Sequence, residues 1–283
     1  MQLTVHHDAA SFLETATDFL REAEAENSIL AVPAARIASA PADDDADTYL
    51  ASVQSDGSIV AAALHGPSGG VLVATGPDAA LAMIAADIAA RGRHPTGVVG
   101  PPVACAAFAE AWCHHTGAKQ ALRFRLRHFE LTQSPDMPAS RGRMRRPDPD
   151  EQELLASWQT GFIGEVNIPD DPARRRAHLL RRIERGMIRV WDDAGPVSFG
   201  GYTEIVSTGT ARIAPVYTPP HLRRRGYATA LVAELSRDLL QRGNRAIFLT
   251  TDLANPTSNG IYRRIGYSPV ADHVHVDLLP ASR

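Results

Sequence analysis

Val216-Tyr217-Thr218-Pro219-Pro220-His221-Leu222-Arg223-Arg224-Arg225-Gly226-Tyr227-Ala228 joins two elements of opposite character. It begins as the apolar end of a strand and passes through a proline-broken basic loop. It then opens a helix at a glycine, with only a small residue two positions on. Free N–H groups at a helix start make an anion site, and Gly226 and Ala228 let an anion approach the backbone closely. Arg223, Arg224 and Arg225 add positive charge, so a pyrophosphate is the natural guest. The same run also fits a solvated loop, or a patch for nucleic-acid phosphates. It is neither a P-loop nor a dinucleotide fingerprint, because no Gly-Lys-Ser/Thr closes it and the triple-glycine spacing is missing.

Working outward, Tyr227 to Arg242 predicts a long helix with Ala228, Leu231, Val232, Leu235 and Leu239 on one face and Gly243 closing it. Strand-like runs precede it at Met187–Trp191, Val197–Ile205 and Ala211–Thr218, parted by turn chemistry at Asp193-Ala194-Gly195-Pro196 and Ser207-Thr208-Gly209. Asp148-Pro149-Asp150-Glu151 reads as a helix start, followed by an apolar stripe of Leu154, Leu155, Trp158 and Phe162. A second start at Asp171-Pro172 runs to Gly186. After the long helix come a buried strand, Ala246–Thr251, a short helix, Thr257–Ile265, ended by Gly266, and a last strand, Val270–Leu278. Arg143 to Arg146 reads as a short edge strand, and a nucleic-acid role for Arg141–Arg146 is disfavoured.

The proline-broken segment Gln133–Ser140 reads as a linker. Before it the same order recurs: a strand at Leu3–Val5, helices at Ala9–Glu24 and Ser28–Ala38, and strands at Tyr49–Val53, Ser58–Leu64 and Val71–Thr75. Gly66-Pro67 marks one of the turns between them. A helix at Ala79–Ala90, a strand at Thr96–Val99, a helix at Val103–His115 and a strand at Leu122–Leu131 complete it. Residues 1–134, 135–141 and 142–283 are therefore expected to be a first domain, a linker and a second domain of one repeated α/β (α+β) mixed-sheet fold. With 283 residues, 44% apolar and 22% charged, the chain is long enough for two cores and reads as globular. No apolar run reaches the roughly 20 residues needed to cross a bilayer. A net charge of −3 disfavours general nucleic-acid binding. Met1–Asp8 lacks a secretory pattern, and Cys105 and Cys113 form no disulfide framework, so a reducing cytoplasm is expected.

Arg223-x-x-Gly226-x-Ala228 after a strand resembles the Gln/Arg-x-x-Gly-x-Gly/Ala motif of the GNAT acyltransferase superfamily. Asn255-x-x-Ser258-x-x-x-Tyr262-x-x-x-Gly266-Tyr267 resembles that superfamily's second motif, and the likeness covers roughly Arg143 to Asp277. The whole chain is similar to bacterial two-domain members with a degenerate first domain. The resemblance implies a tandem GNAT-like fold and an N-acetyltransferase using acetyl-CoA, or another acyl-CoA, as co-substrate. The acceptor would be an amine, of a small molecule or a protein, attacking directly in a ternary complex. It also implies that Val216, Tyr217 and Thr218 contact pantetheine and thioester. Backbone N–H groups of Arg224, Arg225, Gly226, Tyr227, Ala228 and Thr229, with Arg223 beside them, would hold pyrophosphate. Asn255 and Ser258 would bind the arm, and Tyr262 would also touch the cofactor while serving as general acid to the leaving thiolate. A backbone N–H near Val216 or Tyr217 suits the oxyanion.

Candidate bases are Glu204, Glu165 and Asp252. Members of the family often carry a Glu on the fourth strand, yet Ala211-Arg212-Ile213-Ala214-Pro215 has none, and a non-catalytic acyl-CoA binding or sensing module is the alternative reading. In the first half, Gly76-Pro77-Asp78 replaces the arginine loop, and Cys113 falls where Tyr262 stands, so that half is expected to be silent. Cys113-His114-His115 and His273-x-His275 lack complete ligand sets, so no metal is expected, and Asp43-Asp44-Asp45 reads as a polar loop. No membrane or nucleic-acid partner is expected, and the chain reads as a monomer or homodimer.

Overall fold

The computed structural model describes residues 1–38, 47–66, 69–166, 171–206 and 208–281. Asp43–Asp45, and the turn residues Pro67 and Ser207, lie outside the described residues. The first half runs β1 (Gln2–Val5), α1 (Ala9–Glu22), α2 (Glu24–Ala38), β2 (Tyr49–Ser55), β3 (Ser58–His65), β4 (Val71–Val73), α3 (Asp78–Ala90), β5 (Gly97–Gly100), α4 (Pro102–Thr116) and β6 (Lys119–Leu131). The second repeats that order as β7 (Arg143–Arg145), α5 (Gln152–Val166), α6 (Pro172–Glu184), β8 (Ile188–Asp192), β9 (Pro196–Ile205), β10 (Thr210–Tyr217), α7 (Tyr227–Gln241), β11 (Ala246–Asp252), α8 (Pro256–Arg264) and β12 (Ser268–Leu279). The internal repeat read from the sequence is present. Among the described residues no helix is long and apolar enough to cross a membrane.

The chain packs as two compact units: Met1–His128 with Thr251–Asn255 and Pro269–Arg283, and Phe129–Thr250 with Pro256–Ser268. These are not sequential halves, because the C-terminal strand is spent on the first unit. There the strands lie in the order β1-β2-β3-β4-β5-β12-β6. β12 runs antiparallel to β5, with Val274 opposite Gly100 and Asp277 opposite Gly97. Its Val274, Val276 and Leu278 enter the core around Phe108 and Trp112. Burying such side chains contributes roughly 1.5–3 kcal/mol each. The β2–β3 hairpin turns at Asp56 and Gly57, whose φ angles of 52° and 84° match the twist a two-residue loop needs.

In the second unit the order is β11-β10-β9-β8-β7. Strand alternation places Tyr202 and Phe199 of β9 on opposite faces. Tyr202 joins Ile213, Val232, Leu235 and Leu239 under α7, while Phe199 joins Leu155 and Leu179 under α5 and α6. Leu154 departs from the expected stripe: α5 turns Leu155 to the sheet and leaves Leu154 38% exposed.

The start of α5 is built as its sequence suggests. Glu151 accepts from the Asp148 N–H at 2.8 Å. The same carboxylate takes two bonds from Arg145, at 2.8 and 2.6 Å, and the Arg145 Nε donates to Asp192 at 2.6 Å. Arg145 thereby ties β7, β8 and the head of α5 together and holds both carboxyls below their usual range. Their stabilisation is complete above the unfolded values of roughly 4.3 and 3.9 and is lost as pH falls through the lower folded values. An Arg145→Met variant should lose about 1–2 kcal/mol at pH 7. It should also show a smaller drop in stability between pH 7 and pH 3 than the parent. Urea unfolding at both pH values checks this, and equal drops in the two proteins would refute it.

Candidate functional site

β10 pairs with two neighbours but for different lengths. Antiparallel to β9, it is matched from Thr210 opposite Ile205 to Tyr217 opposite Phe199, with a bulge between Ile213 and Val216. Its parallel ladder with β11 runs only from Thr210 opposite Ala246 to Arg212 opposite Phe248. Both strands continue beyond that point, to Tyr217 and Asp252. The bulge contains Pro215, which has no N–H to offer. The Val216 end of β10 therefore lies beyond its ladder with β11.

Side chains brace the turn that follows. The Ser198 hydroxyl donates to the Tyr217 carbonyl at 2.9 Å and lies 2.9 Å from the Thr218 hydroxyl. The Arg223 Nε donates to the Thr218 carbonyl at 2.8 Å, its guanidinium lies 5.5 Å from the centre of the Tyr217 ring, and its Nη2 meets Glu165 at 2.5 Å. All three arginines are exposed, but Arg223 serves the loop's shape through these bonds. A run of three arginines gives no clue to which of them is internally bonded.

Gly226 ends the loop with φ of 83°, in the left-handed region, and no atom lies within 4 Å of where a Cβ would stand. No side chain caps α7 there, so its first N–H groups face outward unbonded within the helix. Tyr227 anchors the turn inward, donating to Asp193 at 2.6 Å, and Thr229 is buried. An uncapped helix start beside two exposed arginines is a well-formed seat for a polyanion.

Tyr262 lies on α8, half-buried, with its ring 5.8 Å from Phe129 and 6.1 Å from Tyr267. Desolvation pushes the phenol up to about 12, the hydrogen bond with Ser258 pulling the other way. Tyr267 is the deeper of the two and bonds to Ser236 at 2.7 Å.

The three acids proposed as bases separate. Glu165 stands beside the loop, paired with Arg223. Glu204 lies opposite Ala211, near the start of β10, where it accepts from Asn244 at 2.9 Å and sits 3.7 Å from Arg242. That is five residues of strand, roughly 16 Å, from Val216, so Glu204 is not brought to the departed end. Asp252 closes a turn: its carboxylate accepts from the Ala254 N–H at 2.8 Å and its backbone carbonyl from the Asn255 N–H at 3.0 Å. Asp252 and Asn255 belong to a segment that packs with the first unit.

In the first unit the corresponding turn is closed. At Gly76 a Cβ would meet the Ala61 Cβ and the Val60 carbonyl at 2.7 Å, so the loop presses on β3. Asp78 stands in the first turn of α3, where its charge suits the positive end of the helix dipole that an anion would otherwise occupy. Cys113 is partly buried on α4, its thiol raised by desolvation.

Residues 151–267 match the model of the acetyltransferase (GNAT) family. No curated protein matches the chain. Among solved structures, a GCN5-related N-acetyltransferase from Sphaerobacter thermophilus is similar over 99% of this chain and 97% of its own, with TM-score 0.63 and 15% identity. A tandem GNAT protein from the clavulanic acid biosynthesis pathway aligns over 100% and 99%, with TM-score 0.59 and 15% identity. An acetyltransferase of the GNAT family from Colwellia psychrerythraea aligns over 99% of both chains, with TM-score 0.59 and 11% identity. At such identities the likeness is one of fold. Residues 151–267 form a GNAT-family domain, and the chain as a whole has the tandem GNAT fold.

Proposed function

We propose that this tandem GNAT protein is an acyl-CoA-dependent N-acyltransferase, most simply an acetyltransferase acting on a primary amine. The observation that carries the reading is the departed end of β10 running into an open, uncapped, arginine-flanked start of α7. The site is confined to the second unit. Backbone N–H groups from Arg224 to Thr229 would hold the pyrophosphate, with Arg224 and Arg225 adding charge. Val216, Tyr217 and Thr218 offer backbone groups to the pantetheine arm, which acts here as one more strand. Ser258 lies on α8 one turn from Tyr262, to which it is hydrogen-bonded.

The amine nitrogen would attack the thioester carbonyl, forming the C–N bond. The C–S bond then breaks, and its electron pair leaves on sulfur. A backbone N–H near Val216 would stabilise the intervening oxyanion, and the Tyr262 hydroxyl would donate to the developing thiolate. The amine's surplus proton passes to water. Glu165 acts on the loop through Arg223, as a positioning residue. One observation favours the alternative of a non-catalytic acyl-CoA sensor: β10 carries Arg212 where a carboxylate base would be useful. Steady release of CoA thiol from acetyl-CoA with a panel of amines separates the two. Binding in the micromolar range without turnover would leave the sensor.

Only one equivalent of CoA should bind per chain, because Gly226 opens to space while Gly76 presses on Ala61. Isothermal titration checks the stoichiometry, and two equivalents would place a second CoA site in the first unit.

A further inference from the structure

The α5–α6 face of the second unit's sheet holds a cation without an acid. Ala211 and Ile213 of β10 pack beneath α7, so strand alternation turns Arg212 to the opposite face, where Phe199, Leu155 and Leu179 pack. The one hydrogen bond of the Arg212 guanidinium among the described residues runs from Nη2 to the Thr250 hydroxyl, at 3.0 Å. Burial lowers its pKa to about 10, and no carboxylate opposes that effect. Arg145, Arg223 and Arg242, by contrast, each meet at least one acid. A half-buried guanidinium with one neutral partner carries a desolvation cost that no acid offsets and an arriving carboxylate would.

Its direction matters as much as its charge. Arg212 stands opposite Phe248 in the parallel ladder, and Thr250 lies two residues further along β11. The guanidinium therefore leans toward the end of the sheet where Val216 departs, stopping about two residues, roughly 7 Å, short of it. A guanidinium–carboxylate contact of about 3 Å and the body of a short amino acid together span that gap. On α5, Gln159 lies one turn beyond Leu155 on the sheet-facing stripe and is 7% exposed, and its Oε1 accepts no hydrogen bond among the described residues. Beside Arg182, which donates to the Ala214 carbonyl at 2.8 Å, the face thus offers a cation that meets no acid and an acceptor without a donor, the complement of a zwitterion.

We propose that the acyl acceptor is a small amine bearing a carboxylate, that Arg212 binds the carboxylate, and that Gln159 Oε1 accepts an N–H of the acceptor. This rests on the transferase reading above. The bond formed is the amide and the bond broken is the thioester. The free thiol leaves, and the carboxylate is unchanged.

The test uses initial rates of thiol release from acetyl-CoA with glycine, β-alanine, γ-aminobutyrate and a set of L-amino acids, each beside its primary amide. Direct titration of CoA runs in parallel. At least one carboxylate should be preferred over its amide by tenfold or more in kcat/KM. In Arg212→Met that ratio should fall to near one, chiefly through a higher KM for the carboxylate, while CoA affinity is retained. Arg212→Lys, which retains the charge, should keep part of the preference. Amides acylated as well as their acids, or an undiminished preference in Arg212→Met, would overturn the proposal. Acetyl-CoA binding without acylation of any carboxylate amine would also overturn it, leaving the transferase reading in place. Failure of CoA to bind at all brings down both.

Discussion

Gly226→Val should abolish CoA binding while leaving a folded protein. The residue sits at φ of 83°, a region costing a residue with a side chain roughly 1–2 kcal/mol and a β-branched one more. Nothing within 4 Å obstructs a Cβ, so the penalty is confined to backbone conformation. A domain stable by several kcal/mol survives that. What it would not survive as a binding site is the loss of space: the open volume beside Gly226 adjoins the uncapped head of α7. A loss of about 100-fold or more in affinity is expected, equivalent to roughly 2.7 kcal/mol. The rise in melting temperature with added CoA should vanish with it. Gly226→Asn separates the causes, since asparagine tolerates the left-handed region yet still carries a side chain into the opening. It should melt near the parent temperature and bind poorly. Affinity within a few-fold of the parent in the valine variant would show that the pyrophosphate is held elsewhere.

Local features were legible because local rules make them. The capping pattern of Asp148 and Glu151, the proline-started α6 and the glycine-opened α7 each follow from a few consecutive residues, and all stand where the sequence places them. The repeated order of elements survived low identity between halves for the same reason, since it depends on apolar period and turn residues. What was hidden depends on partners far along the chain. No pattern within β12 says that it pairs with β5, because a strand's partner is whichever edge the fold leaves open. Glu204 looked available as an isolated acid on a strand, but register sets it at the Ala211 end, against Asn244 and Arg242. The Arg223–Glu165 pair spans 58 residues of sequence, and nothing in the charge run selects Arg223 over its neighbours. Leu154 fell from the stripe because the helix's rotation is fixed by Leu155 seating against the sheet. Arg212 sat in view as a departure from the expected acid, but its burial and its lean toward Thr250 belong to tertiary structure.

Tyr262→Phe should bind acetyl-CoA almost as the parent does and transfer the acyl group about 10²- to 10³-fold more slowly. The ring is retained, and with it the contacts to Phe129 and Tyr267, so the packing of α8 should hold. Only the hydroxyl and its bond with Ser258 are lost. The size of the effect follows from what that hydroxyl can do. Burial pushes the phenol up to about 12, so it is protonated throughout any working pH range. A free thiol ionises near about 8.5, so complete transfer of the phenolic proton to a thiolate runs uphill. The hydroxyl's contribution is then a hydrogen bond that strengthens as charge gathers on sulfur, comparable to one oxyanion-hole donor. This fixes the sign of the pH dependence. A raised phenol pKa means that the parent's rate should climb as the acceptor amine loses its proton and should not fall again below about pH 10. The variant's profile should have the same shape at a lower level. Single-turnover rates with a competent amine, measured from pH 6 to 10, decide the matter. A rate within a few-fold of the parent removes Tyr262 from the chemistry, and an alkaline fall in the parent that the variant lacks would mean that the phenol ionises in the complex.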